Sequence, residues 1–69
     1  MIKVFKKVMA GDYNVRYIDS EGKWFKELFN GKLLPSKPMP IHKEYCNTEL
    51  TIDDEGVFGL RVVSKRDLK

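Results

Sequence analysis

The sequence predicts a small all-β domain: an antiparallel sheet or partly open barrel of four to five strands, of SH3-like or OB-like size. Three observations carry that reading. Two segments, Ile18-Asp19-Ser20-Glu21-Gly22 and Ile52-Asp53-Asp54-Glu55-Gly56, share nearly the same hairpin-turn chemistry. Apolar residues alternate on either side of both. Pro35, Pro38 and Pro40 bar a helix interior or a central strand from the middle of the chain. At 69 residues the chain has room for one domain, residues 1–69.

The first strand is expected over Ile2–Val8, where Ile2 and Val4 alternate with Lys3. Lys6-Lys7 interrupts the period, which implies a bulge or a charged edge position. Met9-Ala10-Gly11-Asp12 reads as a turn. Tyr13, Val15 and Tyr17 then share one face of a second strand. In each repeated turn the leading Asp can accept from backbone N–H groups ahead of it. The Gly supplies a left-handed residue that lets the return strand pair.

Segment 23–30 has two readings. Aromatic residues directly after a hairpin turn favour a return strand. Trp24, Phe25, Leu28 and Phe29 also form a helical stripe, with Asp19 or Ser20 to cap it and Gly31 at its end. A helix at 23–30 would make the domain a small α+β fold. Residues 32–43 form a long, polyproline-like connection, a kind of segment that often carries function. Leu50 and Ile52 share a face before the second turn. After it Phe58, Leu60 and Val62 alternate with Val57 and Val63 opposite, and Gly59 marks a bend or bulge.

The hydrophobic share is 42%, with four Phe, three Tyr and one Trp, which suits a globule and not a disordered tail. A chain this short buries only about 60% of its unfolded surface, so the core is thin. Cys46 is the single cysteine and cannot form an internal disulfide. No apolar run of signal-peptide length follows the N-terminus, and none approaches the ~20 residues that span a bilayer. These features point to a reducing, cytoplasmic location. The net charge of +3 divides unevenly along the chain. Residues 1–43 carry nine Lys/Arg against four Asp/Glu, 44–64 one against five, and 65–69 three against one. That pattern leaves open a basic face opposite an acidic one.

Catalysis has little to work with. His42 and Cys46 are the only histidine and cysteine, and no motif supplies an oxyanion stabiliser. The pair is too small a ligand set for structural zinc. Asp53-Asp54-Glu55 lacks the alternating spacing of a calcium loop, and Gly56-Val57-Phe58-Gly59 is no phosphate loop. The expectation is a non-enzyme with no metal and no cofactor. Binding remains, in two forms. A protein partner suits a compact module with an edge strand and a stiff proline loop, acting as an inhibitor or adaptor. Single-stranded nucleic acid is the alternative, because lysines interleave with Phe5, Tyr13, Tyr17, Trp24 and Phe25. The candidate contact residues are Lys3, Lys6, Lys7, Arg16, Lys23, Trp24, Lys26, Lys32 and Lys37. A lysine-rich chain of this length fits a small bacterial or phage accessory protein.

Overall fold

The computed structural model describes residues 1–53 and 60–68. Six strands account for its regular structure: β1 (Ile2–Ala10), β2 (Asn14–Ile18), β3 (Trp24–Glu27), β4 (Lys32–Pro35), β5 (Ile41–Asp53) and β6 (Leu60–Leu68). They close an antiparallel barrel in the order β1-β2-β3-β4-β6-β5. The all-β class is as the sequence predicts, but with six strands in place of four or five, and with the barrel closed. The difference lies in the middle of the chain. Leu33 takes its place in the core, making Lys32–Pro35 a strand where the prolines suggested only a connection. Pro35 sits at its last position, where a missing N–H is tolerated.

The first repeated turn forms as its chemistry dictates. Asp19 Oδ1 accepts from the backbone N–H groups of Glu21 at 2.9 Å and Lys23 at 2.8 Å. Gly22 adopts φ 84° and its N–H donates to the Asp19 carbonyl at 3.0 Å. With the turn closed, 24–27 runs back as a strand, pairing Tyr17 with Phe25 and Ile18 with Trp24. The helical reading of 23–30 is therefore overturned. The second repeated turn, beyond Asp53, and the Phe58 and Gly59 readings lie outside the described residues.

β1 is a central strand, paired with β2 on one side and β5 on the other. The charged-edge reading of Lys6-Lys7 is thus wrong, while the irregularity it implied is present. The β1–β5 register shifts between Lys7 and Val8 and again between Met9 and Ala10. The unmatched residues are on β5: Tyr45 falls between the partners of the first pair and His42 between those of the second. The turn after β1 begins at Gly11, two residues later than the Met9 expected from sequence, because Met9 and Ala10 still pair with β2.

Two hydrophobic clusters occupy opposite faces of the first three strands. Inside the barrel Phe5, Tyr17, Phe25, Leu33, Leu50 and Ile52 pack together, with Leu60 and Val62 against them. Phe5 meets Tyr17 and Phe25 edge to face, at centroid distances of 6.4 and 5.7 Å. Outside it, Val8, Ala10 and Trp24 pack with Ile18 and Met39. The second cluster is covered by the proline loop. Ser36 N–H donates to the Trp24 carbonyl and Gly11 N–H to the Pro40 carbonyl, each at 2.9 Å. Those bonds hold the segment over the barrel wall, so much of the loop is structural.

Candidate functional site

The nine candidate residues do not converge on one surface. Trp24 is only 9% exposed, sealed in the outer cluster, and Phe25 is 8% exposed in the inner one. A stacking platform built on Trp24 is therefore ruled out by its burial. Lys3 faces Leu50 at the lower end of the barrel. Lys6 is paired with Glu44 at 3.2 Å. Lys23 follows the Asp19 turn, Lys32 lies opposite Arg61, and Lys37 is in the proline loop. Lys7, Arg16 and Lys26 do line one shallow cavity, of about 560 Å³, but Asp12 and Glu27 share it. Arg16 lies 3.6 Å from Asp12, and its buried Nε has no hydrogen-bond partner among the described residues.

The unequal charge distribution along the chain does not become two charged faces. Strand pairing interleaves it: Lys6 meets Glu44, Arg66 lies opposite Glu49, and Arg61 opposite Asp53. Within the barrel mouth Lys65 is hydrogen-bonded to Glu27, with its Nζ 5.9 Å from the centre of the Tyr17 ring. Burial draws the Lys65 pKa down, yet hydrogen bonding and charge from Glu27 and Tyr17 outweigh it and hold the ammonium above its ordinary value.

The site with the clearest unmet capacity lies on β6. β4 reaches it only at Lys32↔Arg61 and Leu33↔Leu60, with one further bond from Val62 N–H to the Gly31 carbonyl. Past that point β6 continues to Leu68, paired with β5 on one side. Val63–Leu68 thus presents a strand edge with no neighbouring strand among the described residues. The reason is local: the β3–β4 hairpin is four residues a side, while β5 and β6 have thirteen and nine. A groove of about 470 Å³ separates the hairpin tip from this edge, lined by Leu28, Phe29, Val62 and Val63 among others. Phe29 stands at the tip, fully exposed, and Val63 is 54% exposed.

Only the helical alternative for 23–30 gives Phe29 a place, in a core stripe, and the edge strand expected from sequence is not located on β6. The available signal was the shortness of the segment between Gly22 and Pro35, which admits only a small hairpin. Among the described residues no helix is long and apolar enough to cross a membrane, and no three potential metal ligands cluster.

Fold and surface together define a small closed antiparallel barrel with one unfinished edge. No family model matches the sequence, and no curated protein or solved structure matches it either.

Proposed function

We propose that this chain is a small non-catalytic binding module that regulates a protein partner by taking an extended partner segment onto the β6 edge. The edge of Val63–Leu68 turned away from β5, which has no neighbouring strand among the described residues and lies beside the solvent-exposed ring of Phe29, carries the reading. Strand addition supplies affinity through main-chain hydrogen bonds, and an apolar anchor beside it supplies selectivity. The groove under Phe29 has room for one such anchor.

Charge selects the occupant. Lys65 and Arg66 sit at the centre of the edge and point to opposite faces, Lys65 being already bonded to Glu27. If a second copy docked antiparallel, a two-fold axis through Lys65 or between Lys65 and Arg66 would oppose like charges, whereas an axis through Arg66 would set each Lys65 against Asp67 of the other copy. A segment with acidic residues at the matching positions meets no such repulsion. The partner is therefore an acidic, extended stretch with one large apolar residue, and the module acts as an inhibitor or adaptor for the protein that carries it.

The test compares capture by the intact chain with capture by Phe29→Asp, Arg66→Glu and Lys37→Ala. The expected result is one stoichiometric protein held by the parent and by Lys37→Ala, lost from the other two. Its complex should slow amide exchange at residues 63–68. No stoichiometric capture, or capture indifferent to Phe29 and Arg66, refutes the reading.

A further inference from the structure

The end of the barrel formed by the β1–β2 turn and the start of β5 carries a second set of features, independent of the β6 edge. His42 and Tyr45 are the two unmatched residues of the bulged β1–β5 ladder. Bulges redirect side chains out of the regular alternation, and both rings lie on the surface: His42 is exposed and Tyr45 is 39% exposed. Lys43 Nζ lies 5.0 Å and Lys7 Nζ 5.6 Å from the Tyr45 ring centre. Tyr13 stacks on His42, with centroids 4.3 Å apart and planes 13° from parallel. His42 Nε2–H donates to the Gly11 carbonyl at 2.9 Å, which fixes the lower ring of the stack.

Tyr13 is the unusual member. It holds φ 65°, a region that bulky side chains rarely occupy, and it is 69% exposed. Strained backbone around a buried ring is offset by packing. Here the ring is in water, and strain of this kind gathers at ligand-contacting positions. In so thin a core, an aromatic residue left outside is also a lost opportunity for burial. One face of the Tyr13 ring rests on His42; the stack is open to a further planar group.

The cations of this end gather at the Tyr45 ring, where Lys7 and Lys43 lie, and Asp12 and Glu27 share the cavity that Lys7 lines. The acids nearest in the chain are engaged elsewhere, Asp12 with Arg16 at 3.6 Å and Glu44 with Lys6 at 3.2 Å. Lys7 and Lys43 make no ion pair among the described residues. Planar rings beside free ammonium groups suit a ligand with flat bases on an anionic backbone. The bases must be unstacked from one another to reach a ring, which excludes a duplex.

We infer that Tyr13, His42 and Tyr45, flanked by Lys7 and Lys43, form a binding site for single-stranded nucleic acid. One base extends the Tyr13–His42 stack, and the two lysines contact backbone phosphates. The surface differs from the Trp24 platform expected from sequence and shares only Lys7 with its basic residues.

The experiment titrates the full chain, to roughly 100 µM, the weak end of non-specific binding, into a fluorescein-labelled oligothymidine and its duplex, reading anisotropy. Two phosphate contacts on a single strand predict an affinity loss of about sevenfold between 50 and 200 mM salt. Tyr13→Phe should bind as the parent does. Tyr13→Gly removes the ring and also relieves the positive φ, so a folded variant is expected; its affinity should fall about 5-fold or more. Lys43→Gln should halve the salt slope. No binding at 50 mM salt, duplex bound as tightly as single strand, or undiminished affinity in folded Tyr13→Gly each overturns the site. Protection of these rings by a captured protein instead of the oligonucleotide does so too.

Discussion

Gly11 and Gly22 both adopt positive φ, at 59° and 84°, yet they sit in different surroundings, and that difference makes a quantitative prediction. A methyl group added at Gly22 meets nothing within 4 Å. Gly22→Ala therefore costs only the left-handed backbone penalty, ~1–2 kcal/mol, offset in part by ~0.4–1 kcal/mol from a less flexible unfolded chain. At Gly11 the same methyl falls 2.4 Å from Met39 Sδ and 3.3 Å from its Cβ and Cγ. Met39 covers the Trp24 cluster, so displacing it adds an overpacking cost of ~1–3 kcal/mol. Gly11→Ala should lose about 2–4 kcal/mol where Gly22→Ala loses about 1. For a domain of this size the total is only roughly 3–10 kcal/mol, so Gly11→Ala should lower Tm by ten degrees or more. Urea unfolding followed by Trp24 fluorescence measures both, since the chain's one tryptophan lies within the affected cluster. A double-mutant cycle supplies the sharper test. On a Met39→Ala background, Gly11→Ala should cost no more than Gly22→Ala. If the two glycines cost the same in the parent chain, or the Gly11 cost survives loss of Met39, the proline loop does not seal the outer cluster.

Other outcomes follow from the same contacts. Leu33→Ala, at a fully buried position of the inner cluster, should cost ~2–5 kcal/mol and leave little folded protein at 37 °C, read by thermal melting. Asp19→Ala removes the acceptor of two turn N–H groups and should cost about 1–2 kcal/mol by urea titration. Because the Lys65 pKa is raised by folding, its contribution is complete below the unfolded value and fades as pH rises through the folded one. Glu27→Gln should therefore flatten the stability loss above about pH 10.4, a small effect of the size typical for exposed pairs, ~0.2–1 kcal/mol. Phe29→Asp should leave stability within about 0.5 kcal/mol, because the ring touches solvent alone, while abolishing partner capture.

The strand class and the Asp19 turn were legible because their chemistry is local. An Asp acceptor, a left-handed Gly and alternating flanks all lie within a few residues of one another. Trp24 and Phe25 show where locality ends. Neighbours in a strand point to opposite faces, so sequence logic buries one of them and exposes the other. Both are buried because Met39, fifteen positions on from Trp24, folds back to build a second core outside the barrel. Nothing near Trp24 in the chain announces that cover. The same holds for His42 and Tyr45: their display depends on a β1–β5 register set between segments more than thirty residues apart. Lys7 appears in both the expected and the observed surfaces, but its neighbour there is Tyr45, which no local pattern singled out.

The pairing of β1 with β5 also sets a schedule. Ile2 lies opposite Thr51, and the Met1 ammonium donates to the Ile52 carbonyl at 2.9 Å. As the chain leaves the ribosome, β1 and β2 can meet early, but a lone two-stranded ribbon is barely stable in water. The partner that completes β1 arrives some forty residues later, a delay of a few seconds at ordinary rates of synthesis. During that interval Phe5 and Val8 have no finished core to enter. Pairings this distant in sequence make for slow folding, and a nascent chain held in that state is the form most exposed to chaperones and proteases.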